Sequence, residues 1–129
     1  LVHGMSRPLG SNFKVPHGLS NAMLLPTITE FSIDHAKSRY ADCSRAGKFA
    51  LPEDDDQVAC KKLLSGLYKI NKDFDVPSMK KFGIDQKNFE DQLENMATDA
   101  EISGAPGLNP RVPSVKEMIN LYGEAWRAF

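Results

Sequence analysis

The chain has 129 residues, of which 41% are hydrophobic, and it carries 16 basic and 17 acidic side chains. This length predicts one domain that is large enough to bury a core. A net charge of −1 gives no electrostatic reason to expect nucleic acid or a membrane as a partner. No run approaches the ~20 apolar residues of a membrane span. Cys43 and Cys60 form no Cys-x-x-Cys pair, so we expect free thiols and a cytoplasmic location.

Helical periodicity dominates the chain from its first residues. A first helix is predicted over 1–9 and is expected to end within Pro8–Gly10. A second helix is predicted over 16–32, because proline suits the first helical position, and Pro26 should bend it. The residues expected to face inward on this second helix are Leu19, Ala22, Met23, Ile28 and Phe31.

Two further helices are predicted in the middle of the chain. The third covers 34–48 and should be capped by Ser32 or Asp34. The fourth follows the acidic run 53–56, whose negative charge complements the dipole at a helix start. The buried stripes expected are Ala36, Tyr40, Cys43 and Gly47 on the third helix, and Val58, Leu63, Leu67, Ile70 and Phe74 on the fourth.

The last third of the chain carries clear start and stop signals. Ser78–Phe82 is predicted as a short turn closed by Gly83, and Asp85 should cap the helix that follows. A loop over 103–113 then leads to Ser114–Glu117, the pattern of a capping box. The expected apolar faces are Phe89, Leu93, Met96 and Ala100, then Val115, Met118, Ile119, Tyr122 and Trp126. Together these elements predict an all-α bundle of six or seven helices.

His3 and His17 are the candidate metal ligands. They belong to the first helix and to the start of the second, and the loop between those helices would bring the two rings together. Neutral imidazole is a common ligand of divalent transition metals. A catalytic metal usually has three or more protein ligands, and no third donor stands at matching spacing. His35 has no partner in step with it, so we interpret it as a surface residue.

The segment from His3 to Pro26 resembles the metal-binding segment of iron-containing, or group III, alcohol dehydrogenases, which use NAD or NADP. The sequence Asn109-Pro110-Arg111, followed by a closing helix that ends in Glu124-Ala125-Trp126, resembles the C-terminal signature of the same family. The residues that carry the first resemblance, besides the two histidines, are Gly4, Pro8, Leu9, Gly10, Pro16, Gly18, Asn21, Ala22, Leu24, Leu25 and Pro26.

The resemblance implies that His3 and His17 are two of four ligands of Fe²⁺, with Zn²⁺ as the alternative metal. It also implies that 1–129 is a helical, metal-contributing C-terminal domain of the dehydroquinate synthase-like type. The missing N-terminal domain would bind the nucleotide and supply an aspartate and a histidine as the other ligands. A chain that opens inside an apolar pattern without Met agrees with this expectation of a fragment, which we expect to be inactive alone.

Arg7 departs from the family pattern. Well-known members carry a histidine four residues after the first ligand, and that histidine is often assigned to proton relay. Arginine is always protonated near neutral pH, so it cannot exchange a proton there. Its paired donors suit a cofactor phosphate or a substrate carboxylate, and Arg7 is therefore our candidate cofactor-binding residue.

The resemblance thus implies oxidation of a small alcohol, or reduction of the aldehyde, by hydride transfer in a homo-oligomeric enzyme. A second hypothesis is a non-catalytic helical domain, left by truncation, that dimerises or binds a partner. Exposed apolar residues on the first helix would support this second hypothesis, and the residues in question are Leu1, Val2, Met5 and Leu9.

Overall fold

A computed structural model describes residues 1–128 of the chain, which form seven α-helices and one 3₁₀ helix and include no strand. This confirms the predicted all-α bundle. The helices are α1 (Val2–Phe13), α2 (His17–Ile33), α3 (Lys37–Ala46), α4 (Asp56–Asp73), α5 (Met79–Phe82), α6 (Gln86–Ile102), the 3₁₀ helix (Ala105–Leu108) and α7 (Val115–Arg127).

The main core encloses α1 between α2, α6 and α7. Met5 and Leu9 project from α1 into this core and are 0% exposed, beside the buried Tyr122 of α7. The Tyr122 hydroxyl donates a hydrogen bond of 2.6 Å to the backbone carbonyl of Met5. Phe89 of α6 stacks on Trp126 at 4.5 Å between ring centroids. Because Met5 and Leu9 are buried, these two residues do not give the exposed apolar surface that would support the dimerisation hypothesis.

The first helix does not end at Pro8–Gly10, as was predicted, but continues to Phe13. A proline inside a helix removes one hydrogen bond and clashes with the carbonyl four residues earlier, which together cost about 3 kcal/mol. Burying Met5 and Leu9 contributes about 1.5–3 kcal/mol for each side chain. Since Pro8 is itself buried between these two residues, packing outweighs the missing bond. The residue that caps the helix after Phe13 is Lys14, whose φ of 56° is left-handed.

Helices α3 and α4 pack against each other around a second, smaller core. This core consists of Ile33, Ala41, Ala50, Ala59 and Cys60. The predicted stripe on α3 is wrong at Cys43, which is exposed, and the residues that α3 buries are Ala41 and Ser44. The Ser44 hydroxyl donates to the Ala59 carbonyl of α4 at 2.6 Å, and small residues at this contact let the helices approach closely.

The predicted cap of α3 is also wrong. Ser32 lies within α2, where its hydroxyl donates to the Ile28 carbonyl at 2.7 Å. Asp34 immediately follows α2, and α3 begins only at Lys37 after Ala36, which offers no capping side chain. The second helix therefore continues to Ile33, and a turn rather than a side-chain cap separates it from α3.

The predicted seam of α4 is only partly buried. Leu63 is buried, but Val58 and Ile70 are 38% and 39% exposed and Phe74 is 78% exposed. A hydrophobic template selects the largest apolar side chains, whereas α4 contacts α3 through Ala59 and Cys60. Farther along, α4 meets α2 through a polar contact, in which the Asn71 amide donates to the Ala22 carbonyl at 2.8 Å.

The helix starts predicted at the acidic run, at Asp85 and at Ser114 are confirmed. Asp55 accepts a hydrogen bond from the Val58 backbone N–H, and Asp85 accepts one from Asn88. Ser114 and Glu117 form the complete capping box at the start of α7. Gly83 closes α5 with a φ of 103°, a conformation that favours glycine. The two cysteines are free, as expected.

The acidic run before α4 is held by two basic side chains. Arg45 of α3 donates to the Asp56 carboxylate at 2.7 Å and to the Asp54 carbonyl at 2.9 Å. Lys62 of α4 donates to the Asp54 carboxylate at 2.6 Å, and the Leu51 backbone N–H donates to it at 2.7 Å. Lys62 and then Leu51 lower the pKa of Asp54 below its ordinary value of 3.8.

We expect this carboxylate to contribute to acid sensitivity. Because the folded-state pKa of Asp54 is lowered, its contribution to stability is complete above the unfolded value near 3.8. That contribution is lost as the pH falls through the folded value. Asp54→Asn should therefore flatten the loss of stability below about pH 4, measured by urea unfolding at a series of pH values. Asp91→Asn, an exposed residue of α6, is the control and should leave the pH profile unchanged.

Gly66 of α4 offers a test of the α3–α4 packing. A Cβ added there would lie 2.5 Å from Cε1 of Phe49 and closer still to Cδ1. We expect Gly66→Ala to destabilise the protein by about 1–3 kcal/mol, since the ring must leave its place. Gly123→Ala in α7 meets only Arg127 at 3.5 Å and should stabilise by about 0.5–1 kcal/mol.

The free energy of unfolding of both variants is measured by thermal or urea denaturation. In a Phe49→Ala background the obstruction is removed, so Gly66→Ala should then stabilise the helix through its higher propensity. A destabilising effect that persists without Phe49 would contradict the packing explanation.

Candidate metal centre

His3 and His17 lie next to each other at the junction of α1 and α2. The Nδ1 atom of His3 is 3.2 Å from the Nε2 atom of His17. Their ring centroids are 5.1 Å apart, and the ring planes differ by 19°. Both side chains are exposed. The structure therefore brings together the two residues proposed as ligands, while their role in metal binding stays a prediction.

The local fold that produces this contact is a tight turn between two packed helices. Lys14 takes a left-handed φ of 56°, and Pro16 is the residue before α2 begins at His17. Proline was predicted at the first helical position and instead occupies the position before it. In either place its missing N–H removes no helical hydrogen bond. His17 thus stands at the first position of α2, close to the second residue of α1.

The glycines that follow the histidines have different surroundings. A Cβ on Gly4 would lie 3.0 Å from Cδ of Pro106 and 3.2 Å from Cβ of Ala105. Gly4 therefore allows the 3₁₀ helix to pack on α1, beside the histidine pair. An added Cβ on Gly18 would meet no atom within 4 Å among residues 1–128, apart from its chain neighbours and its own helix backbone.

Asn21 is a third member of the site. It lies one helical turn after His17, and its side-chain Nδ2 is 3.2 Å from His17 Nε2. Its Oδ1 atom is buried and has no hydrogen-bond partner among residues 1–128. Sequence reasoning placed Asn21 in the family frame but assigned it no role. The i to i+4 spacing from His17 was the signal that could have identified it.

No further metal ligand is found nearby within residues 1–128, where no group of three His, Cys, Asp or Glu side chains could hold an ion. Arg7 is exposed on α1, one turn after His3, and forms no ion pair within that range. Its guanidinium is therefore available to an anion. His35 is exposed between α2 and α3, as predicted for a surface residue.

The segment Asn109–Arg111 has a structural role in this chain. Asn109 donates to the Ser32 hydroxyl at 2.8 Å and to the Arg111 carbonyl at 2.7 Å. Arg111 stacks over Phe31, with its Cζ 3.9 Å from the ring centroid, and donates to Glu117 at 2.8 Å. The N–H and hydroxyl of Ser114, followed by Arg111, lower the pKa of Glu117. These contacts join the loop to α2 and α7.

The fold and the paired imidazoles define a helical domain with a two-histidine site on its surface. No helix within residues 1–128 is long and apolar enough to cross a membrane. Residues 1–126 match the C-terminal part of the Fe-containing alcohol dehydrogenase family. The chain therefore belongs to the iron-containing alcohol dehydrogenases and corresponds to their C-terminal domain.

Individual relatives agree with this assignment. Lactaldehyde reductase of Escherichia coli K12 is 28% identical over 127 residues, which cover 98% of this chain and 32% of the relative. An NADPH-dependent butanol dehydrogenase of Clostridium saccharobutylicum is 25% identical over 95% of this chain and 31% of its own length. The chain thus spans about a third of the length of these relatives.

Solved structures show the same fold. An iron-containing alcohol dehydrogenase from Thermococcus thioreducens superposes with a TM-score of 0.84 at 30% identity, over 99% of this chain and 32% of that one. A 1,3-propanediol oxidoreductase superposes with a TM-score of 0.86 at 24% identity, over 96% of this chain and 32% of that one. The predicted helical C-terminal domain type is therefore confirmed.

Proposed function

We propose that this chain is the metal-contributing domain of an NAD(P)-dependent alcohol dehydrogenase that oxidises a small alcohol or reduces the corresponding aldehyde. The observation that carries the proposal is the 3.2 Å approach of the His3 and His17 nitrogens on the domain surface. Family membership and the names of the relatives, a lactaldehyde reductase and a butanol dehydrogenase, support the substrate class.

The donor set fits a divalent transition metal. Imidazole nitrogen suits Fe²⁺ and Zn²⁺ alike, and two nitrogens that bind one ion at about 2.0–2.1 Å lie roughly 3.3 Å apart in tetrahedral geometry. The observed separation of 3.2 Å agrees with that spacing. Two imidazoles leave the coordination shell incomplete, so the remaining ligands must come from outside residues 1–128. The resemblance assigns them to an aspartate and a histidine of a nucleotide-binding domain.

Because the ligands are divided between two domains, we expect the isolated chain to lack activity. A domain that supplies half of the shell binds the metal weakly and lacks a nucleotide site, so the 129-residue chain is inactive by itself. The domain presents His3 and His17 on exposed positions because their partner ligands approach from outside.

A metal held by His3 and His17 would supply Lewis-acid polarisation of the alcohol or carbonyl oxygen, and a bound nicotinamide would supply the hydride exchange. In this proposal the residues of this chain hold the metal, orient the bound groups and neutralise the charge of an anion. His3 and His17 hold the cation. Arg7 lies one turn from His3 and holds an anionic group, either a cofactor phosphate or a substrate carboxylate. Because Arg7 keeps its proton, the proton of the reaction must leave through another group.

We also propose a cytoplasmic, homo-oligomeric enzyme. The two free cysteines, Cys43 and Cys60, suit the reducing cytoplasm. Burial raises the pKa of the Cys60 thiol, which keeps it in the less reactive protonated form.

The ligand assignment can be tested by replacing one histidine at a time in the whole protein. We expect His17→Ala and His3→Ala each to lose bound metal and turnover, since removal of one ligand opens the coordination shell. His35→Ala removes an exposed histidine away from the pair and should retain both. Metal content is measured by elemental analysis, and turnover with NAD⁺ or NADP⁺ and a panel of small alcohols, before and after chelation. Full metal content in His17→Ala would refute the assignment.

The role of Arg7 predicts a different kinetic signature. We expect Arg7→Ala to raise the KM for the cofactor or for an acidic substrate by about 10-fold or more, because a charge-assisted hydrogen bond contributes about 1.5–3 kcal/mol. Arg39→Ala, an exposed arginine of α3, is the matched control and should leave KM unchanged. An unchanged KM for every cofactor and substrate in Arg7→Ala would contradict anion binding at this position.

A further inference from the structure

A cavity of about 420 Å³ lies between α2 and α7, and neither histidine of the candidate metal centre lines it. Thr27, one of its lining residues, comes ten residues after His17, which corresponds to about 15 Å along a helix. Pockets that bind small molecules usually have volumes of about 300–1,000 Å³. This α2–α7 cavity therefore has room for a small ligand and is separate from the histidine pair.

The side chains around the α2–α7 cavity carry a net negative charge. Glu30 of α2 and Glu124 of α7 line it at exposed positions, and neither forms an ion pair within the described residues 1–128. Glu117 and Arg111 also line it, but they are paired with each other at 2.8 Å. Three carboxylates and one guanidinium give a charge of about −2 at neutral pH. Because the two unpaired carboxylates belong to different helices, the cavity favours a ligand with two positive charges.

Thr27 adds a buried hydroxyl to this cavity. Its side chain is only 4% exposed, so it forms the floor below the two carboxylates. The hydroxyls of Ser20 and Ser32 donate to backbone carbonyls of the same helix, whereas Thr27 Oγ1 has no hydrogen-bond partner in the described part of the chain. A buried hydroxyl without a partner is unfavourable. Rotation about χ1 exchanges the hydroxyl with the methyl group, so the oxygen can face the cavity and accept a hydrogen bond from a ligand N–H.

The lining suits an organic cation better than a metal ion. Within residues 1–128 no group of three His, Cys, Asp or Glu side chains could hold a metal ion, and this includes the carboxylates of the cavity. Leu121 and Phe31 also line the cavity and offer apolar side chains. A short hydrocarbon chain could lie against these two residues, while ammonium groups meet the carboxylates and the Thr27 hydroxyl.

We propose that the α2–α7 cavity is a binding site for a small organic diamine, whose ammonium groups pair with Glu30 and Glu124 while one of them donates to the Thr27 hydroxyl. Both amines of such a ligand are charged at neutral pH, since an alkyl ammonium has a pKa of about 10.4. The proposal is independent of the proposed function, because no candidate metal ligand lines the cavity.

The test titrates the 129-residue chain with the four-carbon diamine putrescine at neutral pH and low ionic strength, followed by backbone ¹H–¹⁵N spectra. We expect saturable shift changes that are largest at the cavity residues of α2 and α7. The uncharged diol of the same chain length should cause no change, and Mg²⁺ should bind more weakly. The absence of saturable changes, changes centred on another acidic segment such as 53–56, or an equal response to Mg²⁺ at the cavity would each overturn the proposal.

Two conservative substitutions test the carboxylates. Glu30→Gln and Glu124→Gln keep the size of exposed side chains, and each should weaken putrescine binding by about 3-fold or more. The double variant should weaken it by about 10-fold. Glu94→Gln, an exposed residue of α6 outside the cavity lining, is the matched control and should leave Kd unchanged. Unchanged affinity in the double variant would refute the site.

Thr27→Val separates a ligand contact from a purely structural role. Valine has nearly the same size and removes the hydroxyl that has no partner, so the ligand-free variant should be at least as stable as the unsubstituted chain in thermal unfolding. The same variant should bind putrescine about 3-fold or more weakly, because the ammonium group loses an acceptor. A purely structural threonine would alter stability and leave Kd unchanged, and that result would overturn the site as described.

Discussion

The burial of α1 is the constraint on which the rest of the structure depends. Met5 and Leu9 are 0% exposed, and the Tyr122 hydroxyl of α7 joins the Met5 carbonyl at 2.6 Å. The hydrogen bond joins α1 to α7, the helix that lies farthest from it in sequence. His3 and Arg7 lie on the exposed side of the same helix, so the core that stabilises the bundle also positions the candidate site.

The site consists of exposed imidazole donors that are held by packed helices. His17 begins α2 directly after the turn at Lys14, and Gly4 lets the 3₁₀ helix pack beside His3. Two exposed imidazoles in contact contribute little to the stability of the domain. The proposed role of the pair as metal ligands accounts for their proximity, and the chain covers 32% of the length of a relative such as lactaldehyde reductase.

Local signals in the sequence predicted the helix boundaries best where a side chain satisfies the backbone directly. Asp85 and Ser114 each accept a hydrogen bond from the backbone N–H three residues later, a short-range interaction that the sequence reveals. The prediction failed at Pro8, where packing against other helices decides, and at the start of α3, which has no capping side chain. Hydrophobic size misled the assignment of α4, because Ala59 and Cys60 rather than Phe74 face α3.

The sequence by itself determined the helical class, the starts of α4, α6 and α7, the histidine pair and the resemblance that names the family. These depend on neighbours within about one helical turn or on motif spacing, which the chain order preserves. The tertiary structure decided that α1 passes through Pro8 and that its apolar face is buried. Those outcomes depend on which helices meet and on how each side chain is turned, and such contacts between distant residues are absent from any local pattern.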